Sequence, residues 1–184
     1  MRRQDAVSAR ILAVEVVNSM WYDHLGKRSE DRLDRTDWLD AFLSYWSFPV
    51  SPDGKQIERL KALRTLLREM LDRTTAGETV TEAQLTQLNA YMAGSLRTPD
   101  LVSNDNGYAL TYRPVALDWA AFLAEAALSF ADLLADQRIN RVKICRNSVC
   151  KWVFYDDTKN GRRQWCSSDT CGNVARVRRH RDKH

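Results

Sequence analysis

Residues 145–184 read CRNSVCKWVFYDDTKNGRRQWCSSDTCGNVARVRRHRDKH, and this stretch decides how we expect the chain to fold. All four cysteines of the protein lie in it, as the pairs Cys145–Cys150 and Cys166–Cys171, each with four residues between its members. Fifteen residues separate the two pairs, and the last cysteine runs into a segment rich in arginine. The equal short gaps indicate that each pair lies on one tight turn.

Two cysteine pairs with short internal gaps are typical of a Zn²⁺ site that has four thiolate ligands. We predict one structural Zn²⁺ with the ligands Cys145, Cys150, Cys166 and Cys171. Four thiolates complete the tetrahedral shell, so no position is left for a catalytic water. Two disulfides, free thiols or an Fe–S cluster are the alternative interpretations, and disulfides would require an oxidising compartment.

The apolar runs of the chain bear on its compartment. Glu15 interrupts the apolar stretch near the N-terminus, and no small-residue cleavage site follows, so a secretory signal peptide is not predicted. No apolar run approaches the roughly 20 residues that span a bilayer. We therefore expect a cytoplasmic protein without a membrane segment.

Charge is unevenly distributed along the 184 residues, whose formal net charge is +4. Residues 141–184 contain twelve Lys and Arg against four Asp and Glu, a formal +8, which leaves −4 for residues 1–140. Four thiolates with one Zn²⁺ would reduce the +8 to about +6. A mildly acidic body with a strongly basic end indicates a polyanionic partner for that end.

Nucleic acid is the partner that this basic end favours, because guanidinium forks match phosphate oxygens. The predicted nucleic-acid-binding residues are Arg162, Arg163, Arg176, Arg178, Arg179, His180, Arg181 and Lys183. A solvated C-terminal tail and a surface for a protein or acidic lipids are the alternatives. Phosphate contacts carry no sequence information, so no target sequence follows.

The first 140 residues show the spacing of a helical domain. Apolar periodicity predicts helices over about 6–21, 37–46, 52–77, 81–94 and 117–135. Thr36 is the predicted cap of the second helix, Pro52 opens the third, and Thr81 with Gln84 forms a capping box for the fourth. The alanine-rich fifth helix is apolar around much of its circumference, which predicts a central buried position. Asn18 lies among apolar neighbours, where we expect the backbone to satisfy its amide; a ligand contact is the alternative.

Two short segments have the period of β-strands. Residues 101–113 alternate, and Asn106-Gly107 predicts a type I′ turn, so we expect a hairpin that packs on the helices. Residues 152–155 are β-prone and 159–161 offer turn chemistry, which predicts a second hairpin inside the cysteine spacer. After it, Ser167 or Ser168 would cap a final helix.

The predicted fold class is therefore mainly α with a small β-hairpin, an α+β arrangement. Residues 1–140 would form a helical domain, with its hairpin near 101–113. Residues 141–184 would form a treble-clef-like four-cysteine finger with a basic C-terminal helix. No Gly- or Pro-rich linker joins the two parts, so we expect the finger to be held against the helical domain.

The finger resembles the CGNR zinc finger. The residues that carry the resemblance are Cys145, Cys150, Tyr155-Asp156, Arg163, Trp165-Cys166-Ser167, Cys171-Gly172-Asn173 and Arg178–Arg181. In that family an ABATE domain usually precedes the finger, and Glu15–Ser19 resembles its Asp-Phe-Val-Asn-Thr string. Val174 stands where the family name has Arg, so no role of that Arg is carried over.

The resemblance implies a stress-induced transcription regulator. Its finger would bind DNA, and its N-terminal domain would sense a small-molecule ligand or oligomerise, with a homodimer presenting two fingers. The alternative is a protein–protein interaction module in which zinc only stabilises the finger. We do not expect an enzyme, because no catalytic triad, Gly-rich phosphate loop or catalytic metal motif occurs and the three histidines are scattered.

Overall fold

The computed structural model describes residues 10–104 and 107–181. The helices of these ranges are α1 (Leu12–Asn18), α2 (Thr36–Tyr45), α3 (Gly54–Thr75), α4 (Glu82–Met92), α5 (Trp119–Ala135) and α6 (Asn173–Arg181). The strands form antiparallel pairs and are β1 (Met20–Tyr22), β2 (Ser29–Asp31), β3 (Arg97–Asn104), β4 (Gly107–Pro114), β5 (Val142–Ile144) and β6 (Val153–Tyr155). Short 3₁₀ turns cover Arg32–Asp34 and Ile139–Arg141, and a π-turn covers Ser168–Gly172. About half of the described residues are helical, so the predicted fold class is confirmed.

Helix α5 is the centre of the core, as its alanine-rich sequence predicted. Its buried side chains are Trp119, Ala121, Phe122, Leu123, Ala124, Ala126, Ala127, Phe130 and Leu133. The small alanines let the backbones of α1, α3 and α4 approach it closely. The ring of Phe122 meets those of Phe42 and Phe48 edge-on, with centroid distances of 5.9 and 5.2 Å.

Capping side chains set where the long helices begin. Helix α3 starts after Asp53, whose carboxylate accepts from the Gln56 backbone N–H at 2.8 Å while the Gln56 side chain accepts from the Asp53 N–H. The prediction that Pro52 is the first helical residue was therefore wrong. Proline fixes φ but offers no side-chain acceptor for the free N–H groups, and aspartate does. The predicted capping box of Thr81 and Gln84 at α4 is confirmed.

The region before α2 differs most from the prediction. Helix α1 ends at Asn18, and the chain then forms the small hairpin β1–β2 where a helix end and a loop were expected. Thr36 is the first residue of α2 and not its cap, since Arg35 occupies the cap position without a side-chain hydrogen bond. The first predicted helical residues, 6–9, lie outside the described part of the chain.

The long hairpin β3–β4 leaves an apolar face in solvent. Its register pairs Asn104 with Gly107, so Gly107 belongs to the strand, and the two residues between them lie outside the described ranges. Side chains that share one face are Pro99, Leu101, Tyr108, Leu110 and Tyr112, which we name the apolar hairpin face. Leu101 is 68% exposed and Tyr108 80%, contrary to the expectation that helices cover the hairpin. An ion pair between Arg97 and Glu125 at 2.9 Å ties its base to α5.

The hairpin of the finger lies elsewhere than predicted. Strand β6 pairs with β5, which precedes the first cysteine pair, and residues 156–165 contain no strand. The turn at 159–161 therefore does not connect two strands. The apolar side chains of Val142 and Val153, 2% and 0% exposed, enter the main core together and bring these two strands side by side.

The junction between the finger and the helical domain centres on Asn18. Its Nδ2 donates to the Val153 carbonyl at 2.8 Å, and its Oδ1 accepts from the Val153 N–H at 2.9 Å. The backbone thus satisfies the buried amide, as predicted. Arg68 adds a hydrogen bond from α3 to the Lys151 carbonyl at 2.8 Å. The finger is held against the helical domain, as the short connection predicted.

Candidate metal centre

The four cysteine sulfurs converge on one point. Their Sγ atoms all lie within 4.8 Å of one another, and the thiols form no disulfide. The Cys166 sulfur is 3.7 Å from those of Cys150 and Cys171. A tetrahedral ion with Zn–S bonds of about 2.3 Å separates its sulfurs by about 3.8 Å, so the cluster fits one Zn²⁺.

Backbone turns aim the sulfurs. In the first pair, Cys145 N–H donates to the Trp152 carbonyl at 2.8 Å and Cys150 N–H donates to the Asn147 carbonyl at 2.9 Å. Lys151 then takes a left-handed conformation, φ 54°, which turns the chain sharply into β6.

The second cysteine pair lies at the start of the last helical segment. The Ser167 side chain caps this segment by accepting from the Asp169 N–H at 3.2 Å, as predicted for Ser167 or Ser168. Cys171 then lies just before α6, where the helix dipole favours a thiolate. One cysteine pair lies in the β5–β6 hairpin and the other at a helix start, which is a treble-clef-like arrangement. The sequence predicted such an arrangement with the hairpin between the two pairs, and the structure instead places the first pair inside the hairpin.

Asn147 contacts one of the four cysteines, and the sequence prediction missed it. Its Nδ2 donates to the Cys171 sulfur at 3.4 Å and to the His24 carbonyl at 2.7 Å. It is 4% exposed, and it joins the cluster to the loop after β1. Its position inside the first cysteine turn was the available signal, since outer-shell donors orient metal ligands.

Arg163 contacts three other residues of the finger. Its guanidinium lies over the Phe154 ring, 4.7 Å from the centroid, and its Nε donates to the Trp165 carbonyl at 3.0 Å. It also donates to the Cys166 carbonyl. The structure therefore gives this predicted phosphate-binding residue a role in shaping the second cysteine turn.

Asp156 organises the loop that replaces the predicted hairpin. The carboxylate is 0% exposed and accepts from Lys143 Nζ at 2.6 Å, from the Arg163 N–H at 2.9 Å and from the Thr158 N–H at 3.1 Å. Burial alone would raise the pKa of Asp156, but these donors outweigh it and hold the pKa below its usual range. The group therefore remains an ionised anchor.

The basic helix α6 begins two residues after Cys171 and exposes its arginines. Exposed arginines are Arg162 in the loop and Arg176, Arg178, Arg179 and Arg181 on α6, and none of them has a carboxylate partner among the described residues. His180 is exposed on the same helix, and Lys183 lies outside the described residues. Val174 is half-buried, whereas Val177 is 43% exposed.

Comparisons with known families agree with this geometry. Residues 141–184 match the model of the CGNR zinc finger, and residues 11–137 match the ABATE model, whose description is "Putative stress-induced transcription regulator". No curated protein matches the chain. In the described ranges, no helix combines the length and the apolar character that crossing a membrane requires.

The cysteine cluster and the matched finger together support one structural zinc ion. The ABATE match covers more than half of the chain, and the finger follows it directly. The chain therefore belongs to the ABATE family, and its residues 141–184 are a CGNR zinc finger.

Proposed function

We propose that the protein is a zinc-dependent DNA-binding regulator whose finger and α6 contact the phosphate backbone. The observation that carries the proposal is the row of exposed arginines on α6, which begins two residues after the ligand Cys171. The zinc centre fixes the first turn of this helix, so the guanidiniums are presented from a rigid base. In this proposal the ligands are the four clustered cysteines.

Charge supports the same orientation. Residues 1–140 carry a formal −4, so the body is repelled by DNA while the basic end is attracted. If the protein makes six or more phosphate contacts, raising the salt concentration from 50 to 200 mM would weaken DNA binding by about 10³-fold or more. That slope distinguishes phosphate contact from a protein-docking role, for which the zinc would only stabilise the finger.

The test is DNA binding by the zinc-loaded full chain, measured by gel shift with pooled genomic fragments at low salt. The test variant changes Arg176, Arg178, Arg179 and Arg181 to Gln. The control variant removes the same charge from exposed residues of the helical domain, Lys27, Arg28, Lys55 and Arg59. We expect the test variant to lose at least 100-fold in affinity and the control to change little. Absence of binding by the wild type, or equal losses, contradicts the proposal and favours the docking alternative.

The regulator is proposed to act as a homodimer that joins through the apolar hairpin face. Among the described strand residues, the charged side chain on this face is Arg97 at the base of the hairpin, where Glu125 pairs with it. The Asp100–Arg113 ion pair, at 2.8 Å, lies on the opposite face. With roughly 150–250 Å² for a whole aromatic side chain, the exposed fractions leave on the order of 500 Å² of apolar surface. Two copies would bury about 1,000 Å², which reaches the size of a specific interface.

We favour a second copy of the chain as the partner, because two such apolar faces can pack against each other. Two-fold packing would set this face against the same face of the other copy, as isologous interfaces require. An isolated two-stranded hairpin is only marginally stable, and face-to-face stacking supplies the missing layer. The dimer would present two fingers to one DNA duplex.

A further inference from the structure

A cavity of about 300 Å³ lies where the helical domain meets the finger. One wall comes from α1, α2 and the turn at Arg32, and the other from β6 and the segment Arg163–Cys166. The cavity therefore touches both parts of the molecule and reaches a zinc ligand. Its volume is at the lower end of small-molecule sites, which excludes a nucleotide-sized occupant.

The lining combines aromatic rings with an excess of positive charge. The rings are those of Trp38, Trp152, Phe154 and Tyr155, and the charged side chains are Arg10, Arg32, Arg163 and Glu15. Glu15 is already held by Arg10 and by the Trp46 indole N–H at 3.1 Å. Three guanidiniums and one carboxylate, which is already paired, give the cavity a net positive charge that a bound anion would neutralise.

Arg32 is the cation that lacks an acceptor. Its side chain is 25% exposed, and its Nε lies 4.0 Å from the Glu30 carboxylate, beyond hydrogen-bond reach. The rings of Trp21 and Trp152 flank it at 5.6 and 5.8 Å, and the described residues give its side chain no hydrogen bond. Burial lowers the pKa of Arg32. A half-buried guanidinium without an acceptor is costly, and a bound anion would remove that cost.

We propose that this cavity binds a small aromatic carboxylate, whose carboxylate pairs with Arg32 and whose ring lies among the four aromatic side chains. The planar fork of arginine matches a carboxylate, and the aromatic walls match a flat apolar body. The inference rests on the proposed regulator function, because it names the ligand class that the N-terminal domain senses.

Occupancy would be coupled to the finger. A ligand held between Arg32 and Phe154 bridges the two walls, and Arg163 on the second wall holds the carbonyls of Trp165 and Cys166. The ligand therefore favours one position of the finger and changes DNA affinity. By linkage, DNA changes the affinity for the ligand by the same factor.

The experiment is calorimetric titration of benzoate and indole-3-carboxylate into the zinc-loaded full chain without DNA. Benzamide tests the need for charge, and cyclohexanecarboxylate tests the need for a flat ring. We expect one saturable site for an aromatic carboxylate, at least tenfold weaker binding of the other two probes, and at least tenfold weaker binding by Arg32→Gln. Arg28→Gln, an exposed neighbour on the β1–β2 loop, is the matched control and should bind like the wild type.

Indole N–H resonances of the wild type provide a readout that does not depend on a folded variant. We expect those of Trp38 and Trp152 to shift on titration, while that of Trp119, which donates to the Gln56 carbonyl at 3.1 Å, stays in place. Absence of saturable binding by both aromatic carboxylates, or equal binding of benzamide, overturns the proposal. Because DNA is absent, that failure is separate from failure of the gel shift.

Discussion

The hairpins β3–β4 and β5–β6 are opposites in one chain. The first has two strands of eight residues and an apolar face in solvent, whereas the second has strands of three residues whose valines are in the core. The shorter hairpin is the more embedded, because zinc, Asn18 and core packing hold it from three sides. Strand length therefore does not decide how firmly a hairpin is held; the surfaces available to cover its faces do.

The largest effect should come from breaking the zinc support of β5–β6. Cys150→Ser or Cys166→Ser removes one ligand, and structural zinc contributes on the order of 10 kcal/mol to folding in zinc-finger peptides. We expect loss of the zinc and unfolding of the finger, while the helical circular dichroism of the domain persists. Elemental analysis measures the zinc, and Ser168→Ala, an exposed change in the same segment, is the control. One retained zinc per chain in both variants contradicts the four-ligand assignment.

The second effect concerns the amide that holds β6. Asn18→Ala leaves the buried N–H and C=O of Val153 without partners, which should cost about 3 kcal/mol. Chemical denaturation measures the cost, and hydrogen exchange at the Val153 amide should accelerate. The exposed Asn89→Ala is the matched change on α4 and should cost less than about 0.5 kcal/mol. If Asn18→Ala and Asn89→Ala lost the same stability, the Asn18 side chain would not stabilise the junction.

The third effect addresses the longer hairpin. Leu110→Lys places a charge on the apolar hairpin face, and we expect dimer affinity to fall at least 100-fold, about 2.8 kcal/mol. Thr111→Lys, on the opposite face of the same strand, should leave it unchanged. Sedimentation equilibrium measures both variants. A wild type that stays monomeric at micromolar concentrations would refute the interface.

The smallest effect compares two glycines with left-handed backbones. Gly26 has φ +74° and approaches the first cysteine turn, where an added Cβ would lie 3.0 Å from the Val149 Cβ. Gly77 has φ +80° with open space around it. Each change to Ala should lower the free energy of unfolding by about 1–2 kcal/mol, because alanine disfavours a left-handed backbone. Gly26→Ala should lower it by about 1 kcal/mol more, because the added Cβ crowds Val149. Denaturant midpoints measure the difference in stability between the two variants. Identical losses would show that the first cysteine turn shifts without cost to accommodate the added Cβ.

Local chemistry explains what the sequence predicted well. The cysteine cluster depends on two tight turns and one ion, so spacing was sufficient to identify it. The capping box at Thr81 involves residues three apart, and the burial of α5 follows from its own composition. Each of these features is determined by neighbours along the chain.

Distant contacts explain what the sequence did not predict. Asn147 donates a hydrogen bond to the His24 carbonyl, 123 residues away in the sequence. Strand β6 pairs with β5 because a side chain of each strand is buried in the main core. Arg64 of α3 pairs with Asp31, 33 residues away, through two hydrogen bonds of 2.6 Å. The three-residue strands β1 and β2 are too short to show alternation. These features depend on how the elements meet, which periodicity does not encode.

The amide of Asn18 has a consequence for solubility. Strand edges with free N–H and C=O groups recruit strands from other molecules and start aggregates. The Val153 N–H and C=O point away from β5, and the Asn18 side chain occupies both. A single side chain thus stands in for a further strand and stops the finger's sheet from growing, a protection that should matter most when many copies are synthesised at once.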